Sequence, residues 1–192
     1  PAPLTEDVHK DTILITVVDR DGMAVSLIYS IFATFGAGVT SPKFGILFHN
    51  RGSGFNLTPG HANEAGPGKR PMHTIIPAMR ATDGRVDMSF GVMGGQYQAA
   101  GHAYVLSNLA DYGMDLQEAL DAPRVFADPI SGFLRVERGV PASTRQALAD
   151  LGHAIEVPNE PIGGAQAILM DHARGILIGA SDPRKDGLAV GW

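Results

Sequence analysis

The amino-acid sequence predicts an α+β protein in which strands at both ends of the chain flank a helical middle. Two β-branched apolar runs separated by a turn occupy residues 12–30, and two more occupy residues 165–180. Between them, residues 96–121 contain apolar side chains at helical spacing. This order of strands, helices and strands is typical of sheets that are covered by helices.

Strands and loops dominate the first part of the chain. The runs T-I-L-I-T-V-V-D at residues 12–19 and M-A-V-S-L-I-Y-S at residues 23–30 predict a β-hairpin, because R-D-G between them is a turn sequence. A short strand is expected at residues 44–48. Residues 50–71 are rich in glycine and proline and predict a long loop, and loops of this length are usually functional or disordered.

A second hairpin is predicted from residues 74–81 and 86–92, which flank the turn sequence T-D-G-R. The pair Gly94-Gly95 then leads into a helix that is predicted over residues 96–112. The core-facing stripe expected for this helix consists of Ala99, Ala103, Leu106, Leu109 and Ala110.

The last third of the chain predicts two short helices and three strands. The helices are expected at residues 115–121 and 141–151, the second with proline at its start and glycine just beyond its end. One strand is expected at residues 133–137. Residues 165–171 and 176–180 predict a closing hairpin around H-A-R-G.

The composition narrows the class of protein. A chain of 192 residues that is 44% hydrophobic and 18% charged is too apolar for disorder, lacks a membrane span and is long enough for an enzyme. A net charge of −5 argues against a nucleic-acid partner, because phosphate neutralisation needs a concentrated basic surface. The absence of cysteine excludes disulfides and a cysteine nucleophile, and it leaves the compartment, cytoplasm or periplasm, undetermined.

Metal and nucleotide sites are not predicted. The histidines lack the H-x-x-x-H and H-E-x-x-H spacings of metal-binding helices, although His49, His61 and His73 in or beside the long loop could meet in space. The run G-V-M-G-G-Q at residues 91–96 has neither the G-K-[ST] of a phosphate loop nor the G-x-G-x-x-G of a dinucleotide site. We therefore expect no metal and no cofactor.

The pair Gly94-Gly95 at the start of a helix has two interpretations. Free N–H groups at a helix N-terminus stabilise negative charge, as an oxyanion hole requires. A plain tight turn between strand and helix would contain the same glycines. A nucleophile nearby would favour the oxyanion hole.

Thr12 is the hydroxyl that its sequence context singles out. Taken alone, it is an ordinary strand residue, because threonine has high β-propensity. The run D-T-I-L-I-T-V-V-D-R-D-G-M-A-V-S-L-I-Y-S, followed by T-F-G-A-G-V and G-I-L-F-H-N, resembles the start of the small subunit of γ-glutamyltransferases. The resemblance extends over residues 12–192 in order, through P-G-H-A-N-E-A-G-P-G-K-R-P, G-V-M-G-G-Q, D-Y-G-M-D-L-Q-E-A-L-D-A-P-R and G-A-S-D-P-R.

The resemblance implies the fold of N-terminal-nucleophile hydrolases, a four-layer αββα sandwich. Residues 12–192 are then expected to be the small, catalytic subunit, which shares one sandwich with a large subunit of the same precursor. Residues 1–11 are expected to be the tail of that upstream subunit. Autocatalytic cleavage between Asp11 and Thr12 would separate the large subunit from the small one. The resemblance leaves open whether two such heterodimers form a dimer.

The resemblance also implies catalytic roles. Thr12 matches the family threonine that is the nucleophile and whose own α-amine is the base. An α-amino group titrates at about 7.7–8.0, so it can accept the hydroxyl proton at neutral pH without a histidine. Ser30 matches a hydroxyl that hydrogen-bonds the nucleophile and assists processing. Gly94 and Gly95 match the pair whose backbone amides hold the oxyanion.

The expected substrate pocket departs from the family. An asparagine, a glutamine and an aspartate that hold the α-carboxylate and α-amine of a γ-glutamyl group are replaced by Phe32, Arg51 and Gly54. A serine pair is replaced by His73 and Thr74. The acid for the substrate ammonium is therefore missing, and Arg51 offers a bidentate site for a carboxylate, with an ordinary surface arginine as the alternative.

We therefore expect an autoprocessed threonine amidohydrolase or acyltransferase of the γ-glutamyltransferase type that forms an acyl-Thr12 intermediate. Its expected substrate is a small amide with a carboxylated acyl group: γ-glutamyl as in glutathione, glutaryl or oxamate-like. The alternative is a paralogue that does not process itself, is inactive and serves as a binding or scaffold subunit. The motifs D-A-P-R at residues 121–124 and S-D-P-R at residues 181–184 are expected to form turns and subunit-facing ion pairs.

Overall fold

The computed structural model describes residues 12–192. The expected tail at residues 1–11, and with it Asp11 of the expected cleavage bond, lies outside the described residues. The elements follow in chain order as β1 (Thr12–Val18), β2 (Ala24–Ser30), a 3₁₀ helix (Arg51–Gly54), β3 (Pro77–Thr82), β4 (Arg85–Met93), α1 (Tyr97–Ala110), α2 (Leu116–Asp121), β5 (Val125–Ala127), β6 (Leu134–Val136), α3 (Ala142–Asp150), β7 (Ile155–Glu156), β8 (Gly164–Asp171) and β9 (Ile176–Ser181).

The strands of the described chain form three sheets. Strands β1 and β2 are a two-stranded hairpin, and the larger sheet has the antiparallel order β3-β4-β8-β9. Strands β5, β6 and β7 form a small third sheet. The three predicted hairpins are therefore confirmed, with bounds that differ by at most three residues.

The first hairpin packs face to face on the larger sheet. Leu14 of β1 lies over Gly91 of β4, where a methyl group on the glycine would be only 2.9 Å from Leu14 Cδ2. The Ser26 hydroxyl donates to the Phe90 carbonyl at 2.9 Å. Leu14 also joins Ile28 and Met93 in a buried cluster. The start of β1 and the ends of β2 and β4 consequently lie at one end of the stacked sheets.

Helices α1 and α2 cover the opposite face of the larger sheet, where they contact β4, β8 and β9. The core between them is made of large apolar side chains, namely Met88, Phe90, Val92, Tyr97, Val105, Leu116 and Leu120. The described residues thus supply three layers: hairpin, sheet and helices. None of the helices in residues 12–192 combines the length and apolar character that a membrane crossing requires.

The buried face of α1 differs from the predicted stripe. Ala99, Ala103 and Ala110 are exposed, and the other two predicted stripe residues are only half-buried. The helix approaches β4 through Gly101 instead, where a methyl group would lie 2.6 Å from Val92 Cγ1. Because only a glycine permits this approach, it determines which side of the helix faces the sheet. The buried positions are Tyr97, Gln98, Gly101, His102, Val105 and Asn108.

The prediction of a strand at residues 44–48 is wrong. This segment makes a single bridge, between Thr40 and Leu47, and otherwise folds back on its own loop. Gly45 has a φ of 65° and donates its N–H to the Ser41 carbonyl at 2.9 Å. The tight turn leaves no extended run that could pair with a sheet.

We expect Leu14→Ala to lower the free energy of unfolding by about 2–5 kcal/mol, the usual cost of a cavity in a packed core. Leu14 is 6% exposed and is one of the few side chains that join the hairpin to the larger sheet. Denaturant titration of the purified protein measures the change. Leu177→Ala is the control, because Leu177 is 52% exposed. Equal losses in the two variants would contradict the packing described.

Candidate active site

Thr12 and Ser30 lie opposite each other at the open end of the first hairpin. The antiparallel register of β1 and β2 places them as Cα partners, so their side chains point to the same face of the sheet. The Ser30 hydroxyl accepts a hydrogen bond from the Phe32 N–H at 2.9 Å. The structure therefore brings the predicted nucleophile and the predicted assisting hydroxyl together.

The glycine turn, Gly94-Gly95, connects β4 to α1. Gly94 has a φ of 128° and Gly95 a φ of 58°, conformations that L-residues with side chains rarely adopt. Their carbonyls accept from the N–H groups of Tyr97 and Gln98, both at 3.1 Å. Within residues 12–192, neither glycine N–H donates a hydrogen bond to the rest of the chain. Both amides therefore lack a hydrogen-bond acceptor within the described residues.

The glycine turn lies at the same end of the stacked sheets as the Thr12–Ser30 pair. Met93, which directly precedes Gly94, packs against Leu14 and Ile28. Those two residues are each two positions away from Thr12 and Ser30 on the same strands. A hydroxyl pair and two unpaired amides at the start of a helix are thus held by one buried cluster.

Arg51 lies beside the hairpin end and is half-buried. One terminal nitrogen donates to the Ser30 carbonyl and the other to the Thr74 hydroxyl, each at 3.3 Å. The guanidinium lies 5.2 Å from the centre of the Phe32 ring. Partial burial lowers the pKa of Arg51, but an arginine remains protonated at neutral pH. These contacts hold Arg51 against the end of the first hairpin.

No carboxylate in the described part of the chain forms an ion pair with Arg51. Two of the five guanidinium N–H groups are used in the contacts to Ser30 and Thr74, which leaves others for a ligand. A partly desolvated cation without an acidic partner is suited to bind an anion.

The remaining predicted pocket residues lie in the loops next to Arg51. Gly54 ends the 3₁₀ helix that begins at Arg51, and its carbonyl accepts from the Asn63 side chain at 2.7 Å. The Asn63 carboxamide also accepts from the Met72 N–H at 2.8 Å. It thereby joins the Gly54 turn to the segment that carries His73 and Thr74. The side chain of His73 is exposed.

Asn63 is a functional candidate that sequence reasoning missed. It stands in the glycine-rich loop, inside one of the motifs that carry the family resemblance, but only the fold reveals that it connects two loops. A second such residue is Gln98, whose side chain accepts from the Ile76 N–H at 3.0 Å. Gln98 links the segment after Thr74 to the first turn of α1.

The histidines of the long loop stabilise local turns. His49 Nδ1 accepts from the Arg51 N–H at 3.2 Å, and His61 Nδ1 accepts from the Asn63 N–H at 3.0 Å. Residues 12–192 contain no group of three histidine, aspartate or glutamate side chains arranged to hold a metal ion.

The motifs D-A-P-R and S-D-P-R do not face another subunit as ion pairs. Arg124 of the first motif and Asp182 of the second pair with each other at 2.5 Å, and their side chains are 1% and 0% exposed. The expectation of subunit-facing pairs was wrong, because sequence spacing gave no sign that the two motifs, 58 positions apart, meet inside one chain.

Comparison with known proteins identifies the family of this chain. The family model described as Gamma-glutamyltranspeptidase matches residues 2–192. The oxamate amidohydrolase proenzyme of Klebsiella pneumoniae is 40% identical over 190 residues, which cover 95% of this chain and 36% of that protein.

Two solved structures show the same fold. Cephalosporin acylase from Bacillus halodurans superposes with a TM-score of 0.88 at 40% identity, over 93% of this chain and 34% of that one. The gamma-glutamyltranspeptidase of Pseudomonas nitroreducens superposes with a TM-score of 0.84 at 28% identity, over 93% of this chain and 98% of that one.

The chain spans about a third of the length of the curated relatives that it matches, 36% in the two first cases. Those relatives are proenzymes by name. The match to the family description extends over nearly every residue. This chain belongs to the gamma-glutamyltranspeptidase family and has the α+β fold of its N-terminal-nucleophile hydrolases.

Proposed function

We propose that this chain is the catalytic part of an amidohydrolase or acyltransferase whose nucleophile, Thr12, is released by autocatalytic cleavage of the Asp11–Thr12 bond. The observation that carries the proposal is the position of the Thr12–Ser30 pair at the same end of the sheets as the unpaired glycine-turn amides. The proenzyme names of the relatives support a cleavage step.

The chemistry follows from these groups. The α-amine of the released Thr12 accepts the proton of its own hydroxyl as Oγ attacks the amide carbonyl of the substrate. The N–H groups of Gly94 and Gly95 stabilise the negative oxygen of the tetrahedral intermediate. The C–N bond then breaks, and the amine leaves with the proton. The product is an acyl ester on Thr12.

The ester is resolved by a second attack. Water attacks the ester carbonyl and gives a proton to the α-amine. The C–O bond to Thr12 then breaks, Oγ takes that proton back from the α-ammonium, and a carboxylic acid is released. An amine acceptor in place of water yields transfer instead of hydrolysis. Ser30, through its hydroxyl opposite Thr12, assists by hydrogen bonding to the nucleophile.

The acyl group that we propose carries a carboxylate and needs no ammonium. Arg51 supports this choice because its guanidinium lies at the hairpin end without an acidic partner in residues 12–192. Phe32, Gly54, His73 and Thr74 complete the proposed pocket, and none of them is an acid that would hold an ammonium. The name of the oxamate amidohydrolase relative agrees, since oxamate has a carboxylate beside its amide and no ammonium.

Arg51→Gln is expected to raise KM for carboxylated amides roughly 10- to 100-fold, the loss of about one hydrogen bond to a charged group. Initial rates of the full-length processed protein measure this change in KM. The substrates are oxamate, glutaryl amide, γ-glutamyl anilide and an acyl amide without a carboxylate. Arg20→Gln, in the exposed hairpin turn, is the matched control and should leave KM unchanged. Efficient turnover of γ-glutamyl anilide by the wild type, above that of oxamate and glutaryl amide, would refute the proposed acyl group.

A large subunit of the same precursor is the proposed partner. The outer face of the first hairpin exposes a continuous set of apolar side chains: Ile13, Ile15, Val17, Val25, Leu27 and Tyr29. Their alternation with the buried Leu14 and Ile28 is that of a sheet covered on both faces. Helices of the large subunit on this face would supply the fourth layer of the sandwich.

A further inference from the structure

Four charged residues, Arg124, Glu137, Asp182 and Arg184, form a largely buried network that we name the clamp. Arg184 pairs with Glu137 at 2.8 Å and with Asp182 at 3.2 Å, and Asp182 pairs with Arg124 at 2.5 Å. Buried ion pairs are weak stabilisers compared with well-packed apolar side chains, because both charges lose their hydration. The clamp therefore suggests a role beyond stability.

The clamp holds one short segment, residues 162–165, by its backbone. The Ile162 N–H donates to the Glu137 carboxylate at 2.9 Å, and the Ile162 carbonyl accepts from Arg124 at 2.9 Å. The Ala165 N–H donates to the Asp182 carboxylate at 2.9 Å. Both ends of the segment are thus fixed by side chains whose charges neutralise one another.

Between these anchors, Gly163 lies directly against the glycine turn. A methyl group on Gly94 would be 2.8 Å from Gly163 Cα, and one on Gly163 would be 2.4 Å from the Met93 carbonyl and 2.7 Å from the Tyr97 ring. A displacement of Gly163 by a fraction of an ångström therefore either pushes on the glycine turn or leaves it unsupported.

We propose that Arg124, Glu137, Asp182 and Arg184 are positioning residues that hold the oxyanion-binding amides of Gly94 and Gly95 in place through residues 162–165. This inference rests on the proposed function of the glycine turn. The clamp residues do not touch the substrate; they determine where Gly163 lies, and Gly163 determines where the turn lies.

The charge state of the clamp is consistent with this role. Burial by itself would raise the pKa of Glu137, but hydrogen bonds from Arg184 and from the backbone N–H groups of Arg124 and Ile162 outweigh it and lower the pKa. Glu137 is therefore an anion at neutral pH, and it accepts from Ile162 and Arg184 together. A neutral glutamine cannot reproduce both contacts with equal strength.

The test compares Glu137→Gln and Arg124→Lys with the wild type in the full-length processed protein. Lysine keeps the charge opposite Asp182 but cannot reproduce the fork of Arg124 contacts. We expect kcat to fall roughly 10- to 100-fold with KM nearly unchanged, as for a misplaced catalytic group. Affinity for a carboxylated alkylboronic acid, which forms a tetrahedral adduct on Thr12, should fall in parallel, whereas affinity for the carboxylic acid product should not.

Asp87→Asn is the matched control. Asp87 forms a bidentate pair with Arg80 at 2.9 and 3.0 Å in the same sheet, six residues before Met93 on β4. Loss of this ion pair should lower the free energy of unfolding without changing kcat or the affinity for the boronic acid. Hydrogen exchange at the Tyr97 and Gln98 amides, which bond to the glycine-turn carbonyls, should accelerate in the clamp variants and not in Asp87→Asn.

Each outcome decides the proposal. An unchanged kcat and boronate affinity in both clamp variants would overturn it, even if they unfold more easily. Where a variant fails to process, unchanged exchange at Tyr97 and Gln98 in the uncleaved chain would overturn it as well. Inactivity of the wild type would instead refute the proposed function, and the exchange measurement would still test the clamp.

Discussion

The Thr12→Ala protein is expected to remain a single uncleaved chain and to lose amide turnover by roughly 10⁴-fold or more, since removal of a nucleophile has effects of this order. Alanine keeps the β1 strand and its register with Ser30 but removes the hydroxyl that we propose attacks the preceding peptide bond and accepts the acyl group. Gel analysis of cleavage and initial rates on a carboxylated amide measure the two effects.

Two variants make this result specific. Thr12→Ser keeps a hydroxyl and an α-amine, so it should still cleave and turn over at a reduced rate. Thr16→Ala removes a threonine four residues further along the same strand, opposite Ser26, and should leave both reactions intact. A Thr12→Ala protein that cleaves normally would refute Thr12 as the nucleophile of cleavage. An uncleaved wild type that folds and shows no activity would favour the inactive scaffold.

The second large effect is expected at the glycine turn. Gly94→Ala should lower kcat by about 10²–10³-fold, the usual loss when an oxyanion donor is displaced. An added methyl group would be strained at a φ of 128° and would lie 2.8 Å from Gly163 Cα, so the turn must shift and its amides with it. Steady-state kinetics measure the fall in kcat. A loss of affinity for the boronic acid without a loss of affinity for the carboxylic acid product would separate a displaced oxyanion donor from weaker substrate binding.

Gly84→Ala separates backbone strain from catalysis. Gly84 has a φ of 78° in the β3–β4 turn, and a methyl group there would meet nothing within 4 Å. Gly84→Ala should therefore cost about as much backbone strain as Gly94→Ala and leave kcat unchanged. A Gly94→Ala enzyme with normal kcat would mean that the glycine turn is a plain connection between strand and helix.

The three hairpins could be predicted because each joins β-branched runs through a short turn sequence. The two-residue strand β7 and the three-residue strand β5 could not, because so few residues leave no periodic signal. The buried face of α1 was missed for a different reason. Alanines at helical spacing suggested one face, while the absence of a side chain at Gly101 brings another face against β4.

The candidate site was predictable in its parts and not in its assembly. Thr12, Ser30 and the glycine pair were identified through the family resemblance, and the fold brings them to one end of the sheets. Asn63, Arg124, Asp182 and Arg184 lie in sequence motifs, but their contacts were not predicted, because these contacts join separate segments of the chain. Only the packed structure reveals what they hold.

The most direct test of the account is a mass measurement on the wild-type protein after rapid acid quench during turnover of a carboxylated amide. We predict a small chain that begins at Thr12 and carries one acyl group, located on the peptide that contains Thr12 and absent from the Thr12→Ala protein. An active protein with an intact Asp11–Thr12 bond, or an acyl group on any other residue, would contradict the central claim.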